Sequence, residues 1–225
     1  TMKSFDPIWE EGIYGQGKSL NLYPYDKAVS FVFRRMPRDK PRGEIRILEV
    51  GCGAGNNLWF CAREGFQAYG IDGSKSAVAF AQERFKRDGL KADLRVGDFT
   101  ALPWPDGSFD LVIDRGALTC CGYSQALKAV AEIHRSLLPG GRFLFNPYSD
   151  RHSSFRSGRQ DDDHLTVDIT KGTMVGAGQI CFYGMREIDA LRDGWDTLSL
   201  QHLEIDELGS DPGKHAEWLI VLQKR

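Results

Sequence analysis

Between Ile45 and Tyr148 the chain alternates short apolar runs with longer amphipathic stretches. The runs are IRILEV at 45–50, QAYGID at 67–72, ADLRVGD at 92–98, FDLVIDR at 109–115 and RFLFNPY at 142–148. Each is short, apolar and rich in β-branched or aromatic residues, which predicts strands. IRILEV is apolar at both parities, as expected of a central parallel strand covered on both faces. The intervening stretches carry helical spacing. Asn56 to Glu64 is closed by Gly65, and Ser74 to Gly89 opens on a serine N-cap. A longer helix begins at Ser124 and is expected to run through Leu138 to a Pro-Gly-Gly exit ending at Gly141. Upstream, Tyr25 to Met36 spaces Ala28, Val29, Val32, Phe33 and Met36 along one helical face before Pro37 breaks it. Strict alternation of strand and helix predicts an α/β, doubly wound parallel sheet.

Beyond Tyr148 the pattern changes. Ser149 to Tyr183 is polar, holds Gly158, Gly172, Gly176 and Gly178, and reads as irregular. A short helix, REIDALRDG at 186–194, then precedes two apolar-alternating segments, 196–206 and 216–225. The turn-rich ELGSDPGKH between them is too short for a helical crossover, so these segments predict an antiparallel hairpin closing the sheet.

The first strand runs directly into GCGAG, with Gly51, Gly53 and Gly55 at every second position. An ordinary turn does not need that much backbone freedom. Glycine permits close approach of a ligand and positive φ, and the following helix start aims free N–H groups outward. The carboxyl edge of an open α/β sheet is also where ligands bind. The loop therefore reads as a cradle. GxGxxG is not matched, because the third glycine falls one place early, and no Gly-Lys-Ser/Thr follows as a P-loop requires. Asp72 and Asp98 end the second and third strands, where carboxylates suit ribose hydroxyls and an exocyclic amine.

ILEVGCGAGNN, YGIDGS, GDFTALPWPDGSFDLVID and LLPGGRFLF, in that order, resemble the successive motifs of class I S-adenosylmethionine-dependent methyltransferases. The resemblance spans Ile45 to Pro147. It implies a Rossmann-like, seven-stranded, mostly parallel sheet of order 3-2-1-4-5-7-6 with strand 7 antiparallel. It implies S-adenosyl-L-methionine as cofactor, with Gly51 and Gly53 along its methionine part and Glu49 supporting that loop. Asp72 would take the ribose hydroxyls, Asp98 and the Phe99 amide the adenine, and Asp114 the methionine amino group or the acceptor. Cys52, Asn56, Gly73 and Tyr23 complete the expected cofactor contacts.

Composition narrows the rest. With 225 residues, 41% hydrophobic and 27% charged, the chain suits one soluble domain with a sizeable core. The expected organisation is a lid and helix at 1–36, a cofactor-binding core at 45–147, an acceptor-side insertion at 148–183 and a terminal helix and hairpin at 184–225. A net charge of −2 supplies no global field for nucleic acid or anionic membranes. The basic run at 33–46 lacks interleaved aromatic platforms and reads as a solvated face. Five cysteines without a CxxC pair read as reduced thiols, with Cys120 and Cys121 in the core and no metal site. No signal peptide or bilayer-length apolar run is read, Thr1 before Met2 reads as an expression remnant, and the cytoplasm is the expected location.

Methyl transfer from a sulfonium needs positioning more than a fixed catalytic set. A base is needed only when the nucleophile must lose a proton, and Tyr14 and His152 are the two candidates. The expected acceptor is an N or O atom of a small molecule such as a sugar, amino sugar or natural-product intermediate. The expected assembly is a monomer or homodimer, without membrane or nucleic-acid partners. Two alternatives stand beside this: a protein or RNA methyltransferase, and a non-catalytic cofactor-binding partner subunit.

Overall fold

The computed structural model of the protein describes residues 4–209 and 213–225. Residues 1–3, with the expected remnant at Thr1, and residues 210–212 lie outside the described residues. Helix α1 (Asp26–Arg35) precedes strand β1 (Arg46–Val50), followed by α2 (Asn56–Arg63), β2 (Gln67–Asp72), α3 (Lys75–Arg87) and β3 (Ala92–Val96). Next come β4 (Phe109–Asp114), α4 (Tyr123–Ser136) and β5 (Leu137–Phe145). Three short strands follow, β6 (Arg159–Gln160), β7 (Leu165–Val167) and β8 (Ile180–Cys181). Then α5 (Met185–Leu191) leads to the long strands β9 (Trp195–Glu207) and β10 (Gly213–Lys224).

The main sheet has seven strands in the order β3-β2-β1-β4-β5-β10-β9. This is the expected order, because the three short strands take the intervening numbers. β1 pairs parallel with β2 and β4, while β10 is antiparallel to both β5 and β9.

The sheet is apolar on both faces, as period-two alternation along β1 requires. Ile47 faces a cluster with Phe31, Val32, Leu58, Val78 and Phe85 from α1, α2 and α3. Leu48 and Val50 face the opposite cluster with Val130 and Ile133 of α4 and the rings of Phe109 and Phe143. Fully burying one such side chain is worth roughly 1.5–3 kcal/mol, so the sheet is held from both sides.

Two sequence expectations are corrected. The helix expected through Leu138 stops at Ser136, and Leu137 already pairs with Phe109 before a register shift to the Leu111–Arg142 pair. Pro139 explains this: it has no N–H to donate and disfavours helical backbone at the residue before it. The stretch 149–183 is not merely irregular, because β6, β7 and β8 form a small antiparallel sheet over Ile169, Ile180 and Phe182. Strands of two or three residues carry too little periodicity to be read from sequence.

Candidate active site

β1 delivers its chain into a loop where Gly51, Gly53 and Gly55 have φ of 63°, 49° and 72°. A Cβ on Gly51 would stand 2.1 Å from the Ala117 Cβ, and one on Gly53 would stand 2.4 Å from the Tyr14 hydroxyl. Both the left-handed backbone and the tight neighbours therefore demand glycine. At the end of β2, buried Asp72 accepts the Gly53 N–H on Oδ2 and the Ser74 N–H on Oδ1, both at 2.8 Å. Burial pushes the Asp72 carboxyl above its ordinary range, against the two amide bonds. Two amides use only part of a carboxylate's accepting capacity.

Two adjoining cavities flank this loop. The smaller, of about 110 Å³, is lined by Asp72, Gly73, Phe99, Ser4 and Phe5. The larger, of about 500 Å³, is lined by Glu49, Cys52, Gly53, Asn56 and Tyr148, among others. Gly51, Trp9, Tyr14, Arg115 and Cys120 border both.

Glu49 is the most unusual group here. It is only 3% exposed; Oε1 accepts the Asn57 Nδ2–H at 2.7 Å, and Oε2 has no partner although it is buried. Burial pushes its carboxyl up to about 8, despite the Asn57 bond that pulls the other way. Asn57 in turn accepts the Tyr25 N–H at 2.9 Å, which ties the start of α1 to the loop. An unpartnered buried carboxylate oxygen beside a cavity fits a cationic group.

The N-terminal segment roofs the smaller cavity. The Ser4 hydroxyl donates to Asp98 Oδ1 at 2.6 Å, an oxygen that also accepts the Thr100 N–H and hydroxyl. The Phe5 ring packs on Gly73, where a Cβ would come within 2.2 Å of it. Trp9–Ile13 forms a single wide helical turn, from which Glu10 accepts the hydroxyls of Ser74 and Ser76 and the Ser76 N–H at the N-terminus of α3. A carboxylate there also meets the positive end of the helix dipole. Asp6 accepts the Gln179 N–H at 3.0 Å, joining this segment to the insertion.

The structure thus gathers Glu49, Gly51, Cys52, Gly53, Asn56, Asp72, Gly73, Phe99 and Tyr14 around one cleft. Other expected residues are elsewhere. Asp98 is capped by Ser4 and lines neither cavity. Asp114 is fully buried; its Oδ1 braces the next turn by accepting the Ala117 and Leu118 N–H groups, and burial pushes its carboxyl up to about 6. Tyr23 is 77% exposed, and its carbonyl accepts from Asn56 Nδ2.

His152 is buried behind Tyr148 and Thr173 and lines neither cavity. Its Nδ1 accepts the Ser154 N–H and its Nε2 meets the Thr173 hydroxyl, so a neutral ring has no free lone pair. Burial, with His215 nearby, lowers it to about 4. Tyr14 does reach both cavities, but burial, with Asp72 nearby, raises its hydroxyl well above the ordinary range, so it stays protonated. Neither residue has the properties of a base.

Sequence reasoning missed three participants. Asn57 clamps Glu49; the visible signal was a second asparagine in the first helical turn. Cys120 was expected in the core, yet it borders both cavities, and burial pushes its thiol up to about 12. Arg115 directly follows Asp114 at the end of β4, and its guanidinium stands 4.5 Å from the Tyr25 ring centroid.

Residues 47–141 match the family model for a methyltransferase domain. The uncharacterized methyltransferase YcgJ of Bacillus subtilis is 34% identical over 195 residues, covering 82% of this chain and 72% of that protein. Norajmaline N-methyltransferase of Rauvolfia serpentina is 34% identical over 154 residues, covering 64% of this chain and 52% of that protein. The chain spans 66%, 62% and 44% of three further curated relatives, from Haemophilus influenzae, Geobacillus and rice. Among solved structures, a SAM-dependent methyltransferase from Methanosarcina mazei superposes with a TM-score of 0.71 at 19% identity, covering 90% of this chain and 99% of that one. Motif order, sheet order and these relatives agree, and the chain belongs to the class I S-adenosylmethionine-dependent methyltransferases.

Proposed function

We propose that the protein methylates a nitrogen atom of a small molecule, drawing on S-adenosylmethionine held along the glycine loop. The observation that carries this reading is the orphaned Glu49 oxygen at one side of the loop, with Asp72 at the other. Glu49 would take the cofactor's ammonium group, Asp72 its ribose hydroxyls, and Gly51 and Gly53 would allow the chain to lie close beneath it. Asp98 would reach the adenine amine only through Oδ2, since Ser4 and Thr100 occupy Oδ1. Bound cofactor supplies a methyl group already activated on a sulfonium sulfur.

This chain's residues then have three tasks. Trp9 and Tyr14 exclude water from the cleft they border. The protonated Tyr14 hydroxyl can donate a hydrogen bond but not accept a proton from the acceptor. The wall of the larger cavity orients the acceptor. Glu49 is the one carboxylate or imidazole on that wall among the described residues, and the cofactor's ammonium group would engage it. An amine that attacks as its free base needs no further base, which favours nitrogen over a hydroxyl oxygen.

The small roofed cavities support a small acceptor over a protein or RNA segment. Norajmaline N-methyltransferase and the probable tocopherol O-methyltransferase of rice, both similar in sequence, bear names of small-molecule acceptors. Amino sugars and amine-bearing natural-product intermediates are the proposed range. Transfer of labelled methyl to a panel of paired amines and alcohols tests the reading. Amines should be methylated and the matched alcohols left unmodified; methylation of alcohols alone would reverse the assignment.

A further inference from the structure

The larger cavity is lined by more positive than negative side chains. Its lining includes Lys18 and Arg115, against Glu49 as the acid. Resting on the reading above, in which the cofactor's ammonium engages Glu49, the lining is left with Lys18 and Arg115 as its charged groups.

Arg115 follows Asp114 at the end of β4, with a side chain only 16% exposed. Its Nε is buried and has no hydrogen-bond partner. The nearest carboxylate is the wholly buried Glu217, whose Oε2 is 3.9 Å from Arg115 Nη2, too long for a hydrogen bond. Glu217 is already in close contact with Lys27, and His215 Nε2 lies 3.4 Å from its Oε2. Burial, with Lys27 and Arg115 nearby, lowers His215 and keeps it neutral near pH 7. Around Arg115 the charged groups are therefore Lys27, Glu217 and the fully buried Asp114, and none of the carboxylates closes a hydrogen bond on the guanidinium Nε.

A buried guanidinium N–H left without an acceptor is costly, and on a cavity wall an anionic oxygen is the partner that best satisfies it. Tyr25 holds the guanidinium plane by ring contact, and Tyr25 and Tyr148 line the larger cavity and not the smaller. Arg115 itself borders both cavities, so the cation also reaches the space of the larger one. We propose that the acceptor carries an anionic group, a carboxylate or phosphate, in addition to its amine, and that Arg115 holds that group.

The test uses this chain, saturated with S-adenosylhomocysteine for melting and with labelled S-adenosylmethionine for kinetics. Probes are amines supplied in matched sets, such as 4-aminobenzoate and 4-aminobenzamide, or an amino-sugar phosphate and its unphosphorylated parent. Melting temperature and labelled-methyl KM are measured for wild type, Arg115→Gln and Arg115→Lys. Anionic members should raise the melting temperature of the complex and show at least tenfold lower KM than their neutral partners. Arg115→Gln should abolish that preference, Arg115→Lys should retain part of it, and affinity for S-adenosylhomocysteine should stay within twofold in both. The carboxylate and phosphate arms identify which anion is taken.

Equal response to neutral and anionic members would overturn the proposal. So would anionic members that fail to shift the complex at 10 mM, or loss of S-adenosylhomocysteine affinity in Arg115→Gln with the preference intact, which would assign Arg115 to the cofactor. Failure of wild-type protein to bind S-adenosylhomocysteine would instead remove the cofactor reading on which the proposal rests.

Discussion

Glu49 bears opposed demands of folding and binding. Its carboxyl rises from 4.5 to about 8 on folding because burial removes it from water. Between those values the folded chain holds a proton that the unfolded chain has lost. The group therefore opposes folding increasingly as pH climbs from about 4.5 to about 8, by at most roughly 1.4 kcal/mol per unit. Glu49→Gln removes that penalty while retaining an acceptor for Asn57. The cofactor-free variant should match wild type at pH 4.5 and melt higher at pH 8, by scanning calorimetry; identical melts at pH 8 would contradict this. Binding should move the other way. A cation must displace the proton below pH 8, so wild-type affinity for S-adenosylhomocysteine should fall toward pH 6, by up to about tenfold per unit. The variant should bind weakly at every pH and show no such slope.

Asp72→Ala separates the second carboxylate's two roles. Freeing the Gly53 and Ser74 amides should cost the fold about 1–3 kcal/mol, while losing two charge-assisted bonds to ribose hydroxyls should cost binding roughly 3–6 kcal/mol. Denaturant melts and cofactor titrations on the same preparation check this, and equal losses would mark Asp72 as structural.

At the scale of elements, the N-terminal segment is the part most open to experiment. It is pinned from both sides: Asn56 holds the Tyr23 carbonyl, Arg84 holds the Leu22 carbonyl, and Glu10 spans to α3. Deleting residues 1–22 should leave a cooperatively melting sheet with lost or strongly reduced methyl transfer. Glu10→Ala is the gentler version. It should speed release of S-adenosylhomocysteine several-fold in stopped-flow while leaving the cofactor-free melting temperature nearly unchanged; an unchanged release rate would deny the segment a closing role.

The β1–α2 and β2–α3 units were legible because local periodicity, a serine N-cap and punctuating glycines agree with the final packing. The closing contacts were not. Ser4 meets Asp98 across 94 positions and Asp6 meets Gln179 across 173, and no local pattern encodes such pairs. The site divides the same way. Gly51, Gly53 and Asp72 sit in motifs and line the cleft, whereas the placements of Asn57 and Arg115 depend on where distant rings and carboxylates arrive. His152 misled because a histidine in a polar, glycine-bearing stretch resembles a solvent-facing base, yet it is buried against the rings of Tyr148, Phe182 and His215.

For the whole molecule, the seven-stranded sheet gives the cleft a floor covered on both faces, and the N-terminal segment and the insertion supply its roof. Among the described residues no helix is long and apolar enough to cross a membrane. The central claim is that this cleft binds S-adenosylmethionine through the glycine loop and Asp72. Titration calorimetry with S-adenosylhomocysteine, on protein first freed of bound cofactor, tests it most directly. One saturable site per chain is expected in wild type, with affinity at least a hundredfold weaker in folded Asp72→Ala. Absence of saturable binding at millimolar ligand, or wild-type affinity in Asp72→Ala, would contradict it.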